Sequence, residues 1–227
     1  AEPEIRRRAA EVARLLQGSP RIRVVLKPRF DWGQSTPRVT RGSNHIRFVG
    51  EHMTLRLSTD APVSHVLSGQ PYVLTREQSF ILGADETLDH GIADTARMFE
   101  QETLDYWRHW SQRLAVPLEW QEAVIRAAIT LKLSLFEDTG AIVAAMTTSI
   151  PESAHSGRNW DYRYCWLRDA FFVVRALNSL SEVATMEDYL RWLGNVVVDA
   201  GSGHIQPLYG IGLERELPES TVPTLAG

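Results

Sequence analysis

Cysteine is almost absent: Cys165 is the one thiol in 227 residues, so no internal disulfide framework holds this fold. Dispensing with oxidation fits a reducing compartment, and a cytoplasmic protein is expected. Positive charge is also in short supply. Lys and Arg total 24 against 28 Asp and Glu, a net charge of -4, which provides no basic footprint for nucleic acid or an anionic membrane. No apolar run approaches the ~20 residues of a membrane helix, and Ala1-Glu2-Pro3-Glu4 lacks the charged-then-apolar profile of a signal peptide. Seven histidines show neither HExxH nor His/Cys ligand spacing, so no metal and no cofactor are expected. Ser149 and Ser156 lack a G-x-S-x-G elbow. Gly201-Ser202-Gly203-His204 has no following Lys-Ser/Thr, so it reads as a helix stop and not a phosphate loop. There is no internal repeat and no low-complexity stretch.

What is present is an ordinary globular composition, 44% apolar and 23% charged, with enough chain for one large or two small domains. Ile5, Ala9, Val12, Leu15 and Leu16 fall at helical spacing, predicting a short amphipathic helix over 5–17 with Arg6, Arg7 and Arg8 on its solvated face. From Arg21 the period becomes two. Ile22, Val24 and Leu26, then Ile46 and Phe48, then Met53, Leu55 and Leu57 alternate with polar residues, and extended stretches follow at Tyr72–Leu74 and Phe80–Leu82. Turn residues separate them, which predicts a β-sandwich. After about His90 the period changes again. Phe99, Tyr106, Trp107, Trp110 and Leu114 share a helical face that Pro117 ends. A second helix from Trp120 to about Leu135 is apolar on most of its circumference, as for a helix buried on several sides. A third is expected over Ala170–Leu180, and a fourth from a Thr185/Asp188 capping box to about Asp199. Strands followed by helices argue for two domains, 1–90 and 91–227.

One segment carries chemistry. The twelve residues Arg158 to Asp169 hold three Arg, two Asp, two Trp and two Tyr, too dense in aromatic and charged groups for a solvated loop. A pyranose offers hydroxyls around its rim and a weakly apolar C–H face, so its site needs flat aromatics together with fixed charged donors and acceptors. Arg168 next to Asp169 supplies both. The plainer reading of the same residues is an Arg–Asp pair pinning a loop, with Trp160 and Trp166 as core. Cys165 has no nearby His in sequence and reads as packing.

Asn159-Trp160-Asp161-Tyr162-Arg163-Tyr164-Cys165-Trp166-Leu167-Arg168-Asp169, preceded by Thr139 to Ala145 and by Thr147-Thr148-Ser149-Ile150-Pro151-Glu152, resembles the glucoamylase-type glycoside hydrolases of family 15, with their bacterial glucoamylase-like and trehalase-like members. Arg29-Phe30-Asp31-Trp32-Gly33 resembles a stretch of the family's β domain, with Trp for Tyr. Leu208-Tyr209-Gly210-Ile211, Glu214-Arg215 and Leu217-Pro218-Glu219 are also similar to it. The resemblance implies a β-super-sandwich segment over 1–90 and, over 91–227, the first helices of an (α/α)6 barrel whose loops form a pocket for a terminal glucose. It places Tyr162, Trp166, Arg168 and Asp169 in the subsite for the non-reducing glucose, with Gln206 and Tyr209 approaching the same mouth.

Enzymes of this family invert the anomeric carbon with two glutamates, one protonating the leaving oxygen and one activating water. The resemblance places both beyond the position of Gly227, so no catalytic residue is assigned in this chain. Asp169 beside Arg168 is expected to be ionised, the wrong state for a general acid. The expectation is therefore part of an inverting α-glucoside hydrolase, cut at both ends and inactive alone, that supplies half of the glucose subsite for an α-linked glucose oligosaccharide or trehalose. Uncovered apolar helix faces would favour self-association. The alternative is a non-catalytic carbohydrate-binding module derived from the same fold.

Overall fold

A computed structural model of the chain describes residues 9–148, 150–156, 159–201 and 203–223. The chain divides into two compact units, one up to Trp107 and the other from Arg108 to Thr221. The first holds β1 (Ala9–Ala13), β2 (Arg21–Ile22), β3 (Arg38–Arg41), β4 (His45–Val49), β5 (Thr54–Thr59), α1 (Val63–Ser68), β6 (Tyr72–Val73), β7 (Gln78–Ala84) and the first part of α2 (Ile92–Gln112). The division falls inside α2, whereas strands give way to helices just before it.

Five strands form one antiparallel sheet in the order β1-β7-β5-β4-β3, and β2 pairs with β6 apart from it. Alternation decides which side each residue serves. Ile46, Phe48, Leu55, Leu57, Phe80 and Leu82 turn to the face packed with Ile22, Val24, Val63, Val66 and Tyr72. Ile81, one residue out of step, packs on the other face with Ala96 and Phe99 of α2 and with Ala10 and Val12. The result is an antiparallel sheet with short strands beside it, compatible with a segment of a sandwich.

The helix expected over 5–17 is corrected where it can be seen. Residues 1–8, with Arg6, Arg7 and Arg8, lie outside the described residues, but Ala9–Ala13 is a strand in register with β7 from Ala9↔Leu82 to Ala13↔Gln78. Val12 fits both readings, at helical spacing from Ala9 and, with Ala10 two residues before it, on one face of a strand. The open edge of β7 and the apolar floor beneath α2 outweigh a short helix that is marginal by itself.

In the second unit come the end of α2, then α3 (Gln121–Leu133), β8 (Leu135–Phe136), β9 (Ala141–Ile142), β10 (Cys165–Trp166), α4 (Leu167–Ser179), α5 (Ala184–Ala200) and β11 (Leu208–Tyr209). β8 pairs with β9 and β10 with β11, both antiparallel. Their core gathers Leu135, Ile142, Val143, Cys165, Ala170, Tyr189, Trp192, Val196 and Tyr209. Gly140 lets this core close: its φ is +85°, and a Cβ there would lie 2.2 Å from the Asp188 carbonyl oxygen of α5.

Three helical expectations change in detail. α3 buries chiefly Ala128 and Lys132 while Leu133 is 57% exposed, so its apolar circumference exceeds its burial. α4 begins at Leu167 and not Ala170, which brings Arg168 and Asp169 into its first turn. α5 starts at Ala184 without a Thr185/Asp188 box. Thr185 is fully buried, and its backbone N–H donates to Glu182 Oε2 at 3.1 Å. That carboxylate also receives Trp110 Nε1 at 3.4 Å and faces the buried Lys132 Nζ at 3.9 Å, so tertiary contacts satisfy the helix start. α5 stops before Gly201, with Ser202 outside the described residues. Among the described residues, no helix is long and apolar enough to cross a membrane.

Candidate functional site

The approach to the site is built from main-chain hydrogen bonds. After β9, Ala144 N–H donates to the Tyr164 carbonyl and Ala145 N–H to the Tyr162 carbonyl, both at 3.0 Å, and Tyr162 N–H returns to the Thr147 carbonyl at 2.9 Å. Two segments without strand signals in their sequence thus support one another and fix Tyr162. β10 then pairs with β11 in the register Cys165↔Tyr209 and Trp166↔Leu208, and Leu167 N–H donates to the Pro207 carbonyl at 3.1 Å. Trp166, extended and without a side-chain cap, hands the chain to α4, so the candidate residues straddle a strand end and a helix N-terminus.

The structure brings the residues expected at the site together in pairs. Tyr162 and Trp166 have ring centroids 6.0 Å apart with planes tilted by 35°, and both are partly exposed. Such an aromatic corner presents flat apolar surface to a ligand. Arg168 donates from Nε to Asp169 Oδ2 at 3.2 Å, a terminal nitrogen forms an ion pair with the same oxygen at 3.0 Å, and the Arg168 side chain is 76% exposed. Asp169 lies in the first turn of α4. The guanidinium has further N–H groups beyond these, and Asp169 Oδ2 is the oxygen that Arg168 meets. Donor and acceptor are held next to each other at the surface.

Gln206 and Tyr209 form a different pair. Tyr209 is 2% exposed and packs edge-on to Trp192, with centroids 6.1 Å apart, so its ring belongs to the core. Its hydroxyl oxygen accepts the Gln206 backbone N–H at 2.8 Å. Tyr209 is thus a core ring that holds the Gln206 backbone, and the buried Gln206 Oε1 has no partner among the described residues. Burial, with a smaller contribution from the Glu214 charge, pushes the Cys165 thiol up to about 12, consistent with a packing residue.

Sequence reasoning gave no role to two neighbours that brace the motif. Asp161 receives Arg163 through Nε at 3.1 Å, a terminal nitrogen at 2.9 Å and the backbone N–H at 3.0 Å. Burial pushes the Asp161 carboxyl up, but these hydrogen bonds and the Arg163 charge outweigh it and hold it below its ordinary value. Trp160 Nε1 donates to Glu152 Oε1 at 3.0 Å, joining the two ends of the loop across the Pro151↔Asn159 bridge. Opposite charges two residues apart were the available signal for the first; the second has none in sequence. Arg158, Gly157 and Ser149 of the motif lie outside the described residues. Among those described, no three His, Cys, Asp or Glu side chains are grouped to hold a metal ion.

Comparison with known proteins agrees with this geometry in where it falls. Residues 120–225, which include every candidate site residue, match the family model described as glycosyl hydrolases family 15. The chain is 28% identical to a trehalase of Thermoplasma volcanium over 211 residues, covering 88% of this chain and 33% of that protein. It is 30% identical to a trehalase of Thermoplasma acidophilum over 213 residues, covering 87% and 35%, and 37% identical to a trehalase of Mycolicibacterium smegmatis over 129 residues, covering 56% and 19%. The chain thus spans about a third of the length of the two Thermoplasma relatives. No solved structure gives a significant match. Residues 120–225, just under half of the chain, thus carry the match to glycosyl hydrolases family 15, and the chain is similar to trehalases over most of its length.

Proposed function

We propose that this chain is part of an inverting α-glucoside hydrolase that releases glucose from a non-reducing end. In this reading residues 1–90 are a segment of a β-super-sandwich, and 91–227 contribute the first helices of an (α/α)6 barrel. Trehalose is the favoured substrate, because the relatives matched over most of the chain are named trehalases. An α-linked glucose oligosaccharide is the other candidate. The observation that carries the reading is the Arg168–Asp169 pair, with Arg168 exposed, in the first turn of the helix that follows Trp166 and its Tyr162 ring contact, within the family match.

Each residue has a task that its chemistry suits. Arg168 donates to adjacent hydroxyls of the terminal glucose, and Asp169, held by Arg168, accepts from them. Trp166 and Tyr162 cover the C–H face and exclude water from one side of the ring. Gln206 adds an amide to the rim. These groups bind and orient; the general acid and the general base come from glutamates outside this chain, as the resemblance implies, and the chain alone hydrolyses nothing. The exposed apolar side chains of α4 and α5, such as Phe171, Phe172, Leu190 and Val198, fit helices that expect further helices against them.

The test is glucose release from trehalose and from maltose by the product of the complete reading frame, with the anomer of the first-formed glucose read by proton NMR. Release of β-glucose from an α-glucoside supports the proposal. Retained configuration, or sugar binding without hydrolysis, overturns it, and the second outcome favours the binding module.

A further inference from the structure

The loop that carries Gln206 is braced at both ends by two consecutive residues, Glu214 and Arg215. The Glu214 carboxylate folds back into the turn after β11, where Gly212 N–H donates to its Oε2 at 2.9 Å. Gly210 N–H donates to the Glu214 carbonyl at 2.9 Å and Leu213 N–H to the Gly210 carbonyl at 3.1 Å, which closes the turn. Both glycines make way for that carboxylate: a Cβ on Gly210 would lie 2.0 Å from Oε2, and one on Gly212 would lie 2.8 Å from Oε1. Leu213 adopts a left-handed φ of 73°, a conformation that a leucine holds only where its surroundings enforce it. On the other side, Arg215 donates to the His204 carbonyl at 3.3 Å and reaches Asp199 of α5 at 4.0 Å.

Between these anchors runs the segment 204–209. It presents Gln206, gives the Pro207 carbonyl to the Leu167 N–H at the start of α4, and pairs Leu208 and Tyr209 with Trp166 and Cys165. A two-residue ladder contributes little stability by itself. The geometry points to Glu214 and Arg215 as positioning residues: together they clamp segment 204–209 against β10 and so set the placement of Trp166 and Gln206. The clamp stands on the contacts above. Only its service to a glucose subsite rests on the proposed function.

Cys165, the one cysteine of the chain, is fully buried in the clamped ladder and reports local opening without any substrate. Its labelling by a disulfide reagent such as dithionitrobenzoate is followed under native conditions in Glu214→Ala, Glu214→Gln, Arg215→Ala and Arg215→Lys, beside the thermal midpoint of each. The clamp predicts labelling faster by on the order of tenfold in both alanine variants, with midpoints close to that of the unsubstituted chain, because the opening is local. Glu214→Gln keeps an acceptor for Gly212 while removing the charge. Labelling near the unsubstituted rate in that variant assigns the effect to the hydrogen bond and not to loss of a nearby negative charge. Arg215→Lys retains a donor and rescues in part. Unchanged labelling in either alanine variant, faster labelling that tracks a fall in the thermal midpoint, or Glu214→Gln behaving as Glu214→Ala would overturn the clamp. In the complete gene product, Glu214→Ala should raise KM for the α-glucoside more than it lowers kcat. An inactive parent with a clamp intact by thiol labelling would count against the glucoside reading alone.

Discussion

Lys132 is the perturbation whose cost can be worked most directly from contacts. Its side chain is 7% exposed, and its ammonium donates to Thr185 Oγ1 at 3.3 Å and lies 3.6 Å from Glu137 and 3.9 Å from Glu182. The Glu182 side chain is 8% exposed and, through its bond to Thr185 N–H, holds the start of α5. In Lys132→Met the Glu182 carboxylate stays buried with neutral donors only. Breaking a buried pair from one side costs about 3–5 kcal/mol, much of it the desolvation of the charge left behind. In Lys132→Met/Glu182→Gln no charge remains, Gln still accepts from Thr185, and the loss falls to about 1 kcal/mol, the net worth of a hydrogen bond. Glu137 adds little, since its side chain is more exposed and can rehydrate. The assay is urea unfolding of the four corners of the cycle at constant m-value. A Lys132→Met loss below about 1 kcal/mol, or a double variant worse than the single, would refute the argument.

Two further expectations follow from local geometry. Gly140→Ala must hold an L-residue at φ +85° with its Cβ against the Asp188 carbonyl, so the left-handed penalty of about 1–2 kcal/mol is a floor for the loss measured by urea unfolding. An unchanged midpoint would mean that this turn is not packed on α5 as described. Asp161 titrates below its ordinary value in the folded chain, so its contribution is fully present above the unfolded carboxylate value of about 3.9 and is lost as pH falls through the lower folded value. Carboxyl carbon NMR should show the Asp161 midpoint moving up in Arg163→Gln, and equal midpoints would remove Arg163 as the cause.

How much of this was legible in the sequence depends on whether the deciding contact was local. Ile46, Phe48, Leu55 and Leu57 announced their strands because a half-buried strand needs only its own alternation. The dense run from Asn159 to Asp169 stood out because aromatic and paired charged side chains are costly to place without a purpose, and the structure pairs Tyr162 with Trp166 and Arg168 with Asp169; that these bind a sugar is the proposal made above. β1 was misread because its pairing with β7 is made by residues about seventy positions away, and Val12 fits either period, three residues from Ala9 or two from Ala10. The start of α5 was misread for a similar reason: the acceptor for Thr185 N–H is a buried glutamate neutralised by a lysine from another helix. At Trp166 no Ser, Thr, Asp or Asn marks the helix start, so Arg168 and Asp169 read as loop although they belong to the first turn of α4. For Tyr209, an aromatic in a promising motif, only the fold could separate a wall of the site from a core ring that orients its neighbour.

The central claim is that the surface pair on the first turn of α4 binds a terminal glucose. The most direct measurement is kcat/KM for trehalose of Arg168→Ala in the product of the complete reading frame, beside Arg168→Lys. Loss of charge-assisted hydrogen bonds to sugar hydroxyls predicts a fall of roughly 10²–10³-fold in the alanine variant with partial recovery by lysine. A kcat/KM equal to that of the parent enzyme would contradict the assignment.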